Sequence, residues 1–180
     1  MKIKVIQMID LIMKKMEQID YGWIDNKGNI HKDDDIDFSL EYILQTPNEI
    51  LENKVGVCWD QVELERKMFD ENKILNETYF IFIDDKFNLP SHTFLVYYLN
   101  DRVYWFEHSW YDERGIHEYN SINELLNDVK NKFYKSREKE VIPNLDVHIY
   151  KYNKPKPHIT CDDFYKYIYT QKKIYINDIK

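Results

Sequence analysis

Three side chains of the sequence, Cys58, His92 and Glu107, are of the types that together carry out acyl transfer: a sulfur nucleophile, an imidazole base and a carboxylate to hold the imidazole. Cys58 follows Val55-Gly56-Val57 and opens Cys58-Trp-Asp-Gln-Val-Glu-Leu-Glu-Arg-Lys-Met-Phe69, whose apolar spacing predicts a helix over about 58–72. A thiol at a helix N-terminus feels the positive end of the macrodipole, which favours the thiolate, the nucleophilic form. Gly56 gives the backbone freedom for a sharp turn into that helix. By position alone a buried structural cysteine is slightly the better reading, since a free cysteine is usually a small hydrophobe. His92 shifts the balance. It opens the strand-like run Ser91-His-Thr-Phe-Leu-Val-Tyr-Tyr98, where an imidazole can face the N-terminus of a helix laid on the sheet. Glu107 closes the next such run, Val103-Tyr-Trp-Phe-Glu107. With Asn100-Asp101 as the turn between the two, the hairpin mirrors His92 onto about residue 108. Glu107 is then close enough to hold the ring and set its tautomer, and His108 points to the opposite face of the strand.

The segments Val55-Gly56-Val57-Cys58-Trp59, Ser91-His92-Thr93-Phe94-Leu95-Val96 and Val103-Tyr104-Trp105-Phe106-Glu107-His108-Ser109 resemble the transglutaminase-like superfamily over roughly residues 50–110. That family has a Gly-x-Cys helix start, a histidine strand and a following strand ending in Asp-Pro-Thr. The order Cys, His, acid agrees. Two features depart from the pattern: Glu107-His108-Ser109 stands in place of Asp-Pro-Thr, and Phe94 stands where many members carry tryptophan. Asp112 and Glu113 are the alternative acids if the second strand runs longer. The resemblance implies an α+β fold with a papain-like core, in which the cysteine-bearing helix lies on an antiparallel sheet. It implies a cysteine-dependent hydrolase or acyltransferase acting on an amide or peptide bond through Cys58, His92 and Glu107, with an acyl-enzyme intermediate. The oxyanion would be held partly by the Cys58 backbone N–H. Trp23 is a candidate second donor by analogy with family members that use an upstream tryptophan, although a packing role in its hairpin is the simpler expectation. Gln61 is expected to face elsewhere. The substrate would be a peptide or protein, or a small amide. Two alternatives stay open: an acyltransferase of the arylamine N-acetyltransferase kind, for which Lys54-Val55-Gly56 replaces the expected Arg-Gly-Gly, and a catalytically inactive binding domain that keeps the fold.

The elements around these residues follow from periodicity. Ile6, Ile9, Ile12, Met13, Met16 and Ile19 mark an amphipathic helix over about 3–19, and residues 21–31 suit a small hairpin. The acidic run 33–37 fails as a calcium loop, because Phe38 and Leu44 occupy the positions that need Gly and Glu. A short helix is expected near 39–45. Thr46-Pro47-Asn48-Glu49 is a capping box starting another over 47–53, and Ser121-Ile122-Asn123-Glu124 starts a third, with Leu125, Leu126, Val129 and Phe133 on one face. Strands are expected at 78–83, 93–98, 103–107 and 147–152, and a last helix from the Thr160 cap through Ile168. Cys161, at the first position of that helix, has no histidine strand after it and reads as structural. The chain is expected to be one domain: helices and hairpin over 1–50, the catalytic core over 54–110, and C-terminal helices and a strand over 111–180. Loops 84–89 and 111–119 are the candidates for setting the substrate.

Composition narrows the alternatives. The 180 residues carry 25 basic and 32 acidic side chains, a net charge of −7 that disfavours non-specific nucleic-acid binding. An apolar fraction of 43% and an aromatic fraction of 16% argue against disorder. Two cysteines cannot make a disulfide framework, and neither His-Glu-x-x-His nor Cys-x-x-Cys occurs, so no metal and no cofactor are expected. No run approaches a membrane span, and the N-terminus, interrupted by Asp10, does not read as a signal peptide. The expected setting is a reducing cytoplasm. Abundant Ile, Lys, Asn and Tyr resemble the coding bias of an AT-rich bacterial genome.

Overall fold

The computed structural model describes residues 2–32, 38–85, 89–141 and 143–176. The acidic run at 33–37 lies outside the described residues. The architecture is mixed α and β, built on a six-stranded antiparallel sheet. In chain order the strands of that sheet are β3 (Asn76–Ile83), β4 (Ser91–Leu99), β5 (Arg102–Glu107), β6 (Gly115–Tyr119), β7 (Val147–Tyr152) and β8 (Lys172–Ile174). They lie side by side as β6-β5-β4-β3-β7-β8. Two further strands, β1 (Trp23–Ile24) and β2 (Ile30–His31), make a separate small hairpin.

The helices cover both faces of the sheet. Phe80, Phe82, Tyr150 and Tyr152 meet α4 (Cys58–Glu71) and α6 (Cys161–Tyr169), while Leu95, Tyr97 and Phe106 meet α4 and α1 (Lys2–Met16). On the other face Tyr79, Ile81, Phe94, Val96 and Trp105 meet α5 (Ile122–Arg137) through Leu125, Leu126, Val129 and Phe133. This two-sided burial explains why β3 and β4 read as continuous apolar runs and not as alternating ones. Each large side chain sunk into these layers contributes about 1.5–3 kcal/mol.

Local chemistry sets the boundaries. Thr46 and Glu49 bond reciprocally, Thr46 N–H to Glu49 Oε2 at 2.7 Å and Glu49 N–H to Thr46 Oγ1 at 3.3 Å, and this box opens α3 (Pro47–Asn53). Ser121 and Thr160 cap α5 and α6 in one direction, their hydroxyl oxygens accepting from the Glu124 and Asp163 N–H groups at 3.2 Å each. Asn100 and Asp101 both take positive φ, 51° and 60°, which makes the two-residue turn between β4 and β5 the kind whose twist suits a hairpin.

Four elements differ from expectation. The first helix ends at Met16, although Ile19 is still buried, because the chain leaves the helix to pair Asp20 with Val55. The short helix near 39–45 is one turn, α2 (Phe38–Glu41), after which Tyr42 and Ile43 bridge to Asp25 and Thr160. Strands β6 and β8 are additions at the two sheet edges; in β6 the apolar Ile116 and Tyr119 fall on opposite faces, Ile116 exposed and Tyr119 buried, so no period-two apolar pattern marks it. No helix among the described residues is long and apolar enough to cross a membrane.

Candidate active site

Cys58 is the first residue of α4, after Val57 in extended conformation (φ −75°, ψ 177°). The turn before it is held from two sides. Asp60 reaches back so that its Oδ2 accepts from the Val57 N–H at 3.1 Å, while its Oδ1 accepts from Gln45 N–H at 2.9 Å and Tyr42 O–H at 3.0 Å. Burial dominates at this carboxyl and raises it from 3.8 to about 7 despite the three donors. Gly56 is required by closeness: a Cβ there would lie 2.8 Å from the Asp60 Cβ.

His92 and Glu107 meet. The ring Nε2 lies 2.8 Å from Glu107 Oε2, with both side chains almost fully buried. The register explains why a glutamate serves. Leu95 pairs with Phe106 and Leu99 with Arg102, so the same ladder carried on sets His92 opposite Ser109. Glu107 is thus the diagonal neighbour on the same face, within reach of a long side chain. Three more donors saturate its carboxylate: Trp105 Nε1–H to Oε2 at 3.1 Å, Ser109 Oγ–H to Oε1 at 3.1 Å and Trp110 N–H to Oε1 at 2.7 Å. With Nε2–H on the carboxylate, Nδ1 is the second ring nitrogen, and Cys58 is near enough to favour the charged form of the ring. Burial opposes a charge on His92, but Glu107 and Cys58 together outweigh it and raise the imidazole from 6.5 to about 10.

The approach of thiol to ring differs from a histidine lying beneath the helix. His92 pairs with Ile81, which belongs to the α5 side of the sheet, and Trp110 packs edge-on to its ring at 5.4 Å. Cys58 belongs to the α4 side. At the end of β4 a cleft of about 370 Å³ is lined by Cys58, Trp59, Pro90 and Ser91 on one hand and by Arg137 and Glu140, at the end of α5, on the other, while His92 and Glu107 lie outside this lining. Tyr21 and Phe38 add aromatic walls. Of the loops proposed to set the substrate, 84–89 contributes Leu89 to this lining, and 111–119 contributes nothing to its described part.

The remaining candidates are placed as follows. Asp112 and Glu113 sit in a single 3-10 turn, and Glu113 pairs with Lys132 at 2.7 Å, so the acid against His92 is Glu107. Trp23 is buried, its ring stacked on His31 at 4.2 Å and edge-on to Phe38 at 5.5 Å, in the same cluster as Val57, Cys58 and Trp59. Its Nε1 has no hydrogen-bond partner among the described residues. Gln61 does not face away: it is 1% exposed and bonds both the Gly56 carbonyl and His108. His108 does lie on the opposite face from Glu107, against α4. Cys161 is buried, without an imidazole, and burial followed by Asp162 pushes its thiol from 9.0 up to about 11. Glu65, unsuspected in the sequence, is buried on α4 two turns beyond Cys58; desolvation, then the Glu107 charge, lifts its carboxyl well above the usual range. Its position on the face of α4 shared with Cys58 and Val62 was the available signal, obscured because a charged residue in a helix usually faces solvent.

No family model matches the chain, and no curated protein is significantly similar to it.

Proposed function

We propose that this protein is a thiol enzyme of the transglutaminase-like, papain-like kind, acting on an amide or peptide bond through Cys58, His92 and Glu107. The observation that carries the reading is the buried 2.8 Å contact of His92 Nε2 with Glu107 Oε2, on an imidazole whose charged form is also favoured by Cys58, a cysteine that starts a helix and lines a cleft. In the first half-reaction the Cys58 sulfur, its proton held by His92 Nδ1, attacks the substrate carbonyl carbon. The C–O π pair moves onto oxygen. The resulting oxyanion meets the Cys58 N–H, which sits in the first helical turn where backbone donors have no intrahelical acceptor. As the carbonyl re-forms, the C–N bond breaks and His92 gives its proton to the departing amine, leaving a thioester. In the second half, water or an amine gives a proton to His92 and attacks the thioester; the C–S bond breaks and the sulfur leaves as thiolate. Glu107 keeps the imidazole in one orientation throughout and balances its charge. Trp23 Nε1 is the second oxyanion donor in this proposal, supported by its lack of another partner among the described residues; it is buried beneath the cleft lining, so the ring must shift to reach the oxyanion.

The test is alkylation of Cys58 by iodoacetamide between pH 5 and 9, followed by peptide mass spectrometry, in wild type and His92→Ala. The thiol-enzyme reading expects alkylation to persist at pH 6 and to depend on His92. Equal pH profiles in the two proteins overturn it. Trapping of the thioester with water or an added amine then separates a protease or deamidase from an acyltransferase.

A further inference from the structure

Behind the nucleophile lies a second buried polar pair that the proposed chemistry does not use. Gln61 Nε2 is 2.7 Å from the Gly56 carbonyl oxygen, and Gln61 Oε1 is 2.7 Å from His108 Nδ1. Both side chains are 1% exposed. The orientation of the amide follows from chemistry: a carbonyl oxygen only accepts, so the group facing Gly56 is the NH2 and the group facing His108 is the oxygen. His108 must then present Nδ1–H, and its Nε2 is the acceptor, buried and without a partner among the described residues. Desolvation, then the nearby Arg114 charge, lowers this ring to about 4, which keeps it neutral at ordinary pH. The backbone of His108 is anchored as well, since its carbonyl accepts from Arg114 Nε–H at 2.7 Å.

These contacts form one line from β5 to the residue two before the sulfur: His108 Nδ1–H to Gln61 Oε1, Gln61 Nε2–H to Gly56 O. Resting on the thiol-enzyme reading, we propose that His108 and Gln61 are positioning residues that fix the Gly56 peptide plane and so aim the Cys58 side chain at His92. The geometry gives the reason. Gly56 lacks a side chain of its own to lock the turn, and close packing on Asp60 requires that it lack one. The Asp60 carboxylate holds the N–H of Val57 but leaves the Gly56 carbonyl to be held by Gln61. A displacement of the sulfur by about 1 Å suffices to cost orders of magnitude in a reaction that depends on alignment.

The pair His108→Asn and His108→Gln tests this. An asparagine amide nitrogen takes the place of Nδ1 and can still donate to Gln61; a glutamine amide nitrogen takes the place of Nε2 and cannot. The readout is the ratio of the Cys58 alkylation rate at pH 6 to that at pH 9, which reports contact of the thiol with His92 and is insensitive to the amount of folded protein. Expected is a ratio near wild type in His108→Asn and one lower by about tenfold in His108→Gln. Equal ratios in these two variants, whether both near wild type or both low, overturn the positioning role. Gln61→Met, apolar and of similar length, is the second variant in case His108→Gln does not fold; it too should lower the ratio by about tenfold, and an unchanged ratio overturns the proposal. A wild-type ratio that His92→Ala leaves unchanged brings down the thiol-enzyme reading and this inference together, whereas a His92-dependent ratio with no difference between the His108 variants brings down this inference alone.

Discussion

Cys58 and Cys161 occupy nearly the same local structure. Each is the first residue of a helix, each follows a residue in extended conformation, each is 6% exposed, and both belong to one aromatic cluster around Trp59. They differ in what faces them. Cys161 has a Thr160 cap and Asp162 beside it, and its thiol is pushed up to about 11. Cys58 has the His92 ring, itself held by Glu107. A helix N-terminus contributes about 0.3–1 kcal/mol to a nearby charge, less than one pKa unit, and at Cys161 burial overrides it. The helix start is common to both cysteines; what sets Cys58 apart, and what the proposed nucleophilic role rests on, is the imidazole–carboxylate pair brought near it from another part of the chain.

The contrast can be broken most severely at His92. With a substrate that gives a measurable thioester, His92→Ala should lower acyl-enzyme formation by about 10³-fold or more, while Cys161→Ser leaves the rate unchanged; a large loss in Cys161→Ser would reverse the assignment of the two cysteines. Glu107→Gln puts an amide group among four donors, so at least one of them faces an NH2. We expect about 10²-fold slower acylation and a stability loss of about 1–3 kcal/mol by denaturant melting, and wild-type kinetics in that variant would remove Glu107 from the array. Trp23→Phe keeps the ring but removes the donor. Acylation should fall by about 10²-fold while iodoacetamide alkylation, which builds no oxyanion, stays the same; parallel loss of both would mean that Trp23 only packs.

The last comparison is of stability against pH. His92 is raised from 6.5 unfolded to about 10 folded. Over that interval the folded state holds a proton the unfolded state has lost, so the contribution is complete below about pH 6.5 and disappears as pH rises through about 10. The difference in unfolding free energy between wild type and His92→Gln should therefore narrow across that window. A difference that stays constant from pH 6 to 10 would show that the ring is not held in its charged form.

Much of this arrangement is legible in the chain because it depends on short-range rules. The capping boxes at Thr46 and Ser121 name the starts of α3 and α5, and the apolar aromatic runs name β3, β4 and β5. Asn100-Asp101 links β4 to β5 closely enough to bring the neighbourhood of residue 107 beside His92. The array of Cys58, His92 and Glu107 could be chosen from these features. The fallback acids Asp112 and Glu113 could not be dismissed by them, because the offset of a hairpin by one or two residues depends on the turn conformation, here two residues with positive φ. Gln61 shows the other limit. One helical turn beyond Cys58 it could face solvent or sheet, and only the placement of β5 against α4 supplies His108 as its partner. Edge strands β6 and β8 are short and borrow their pairing from neighbours, so their own residues carry little signal.

Residue types and periodicity by themselves determined that a cysteine begins a helix, that a histidine begins a strand, and that an acid ends the strand after it, since each depends on backbone preferences within a few residues. Tertiary structure alone decided which face of the sheet His92 occupies, that Cys58 belongs to the layer on the other face, and that Asp60, Gln61, Glu65 and His108 are buried. Those outcomes depend on how layers formed from distant segments are stacked. Desolvation and opposed charges, which set the chemistry of each group, exist only once that stacking has excluded water.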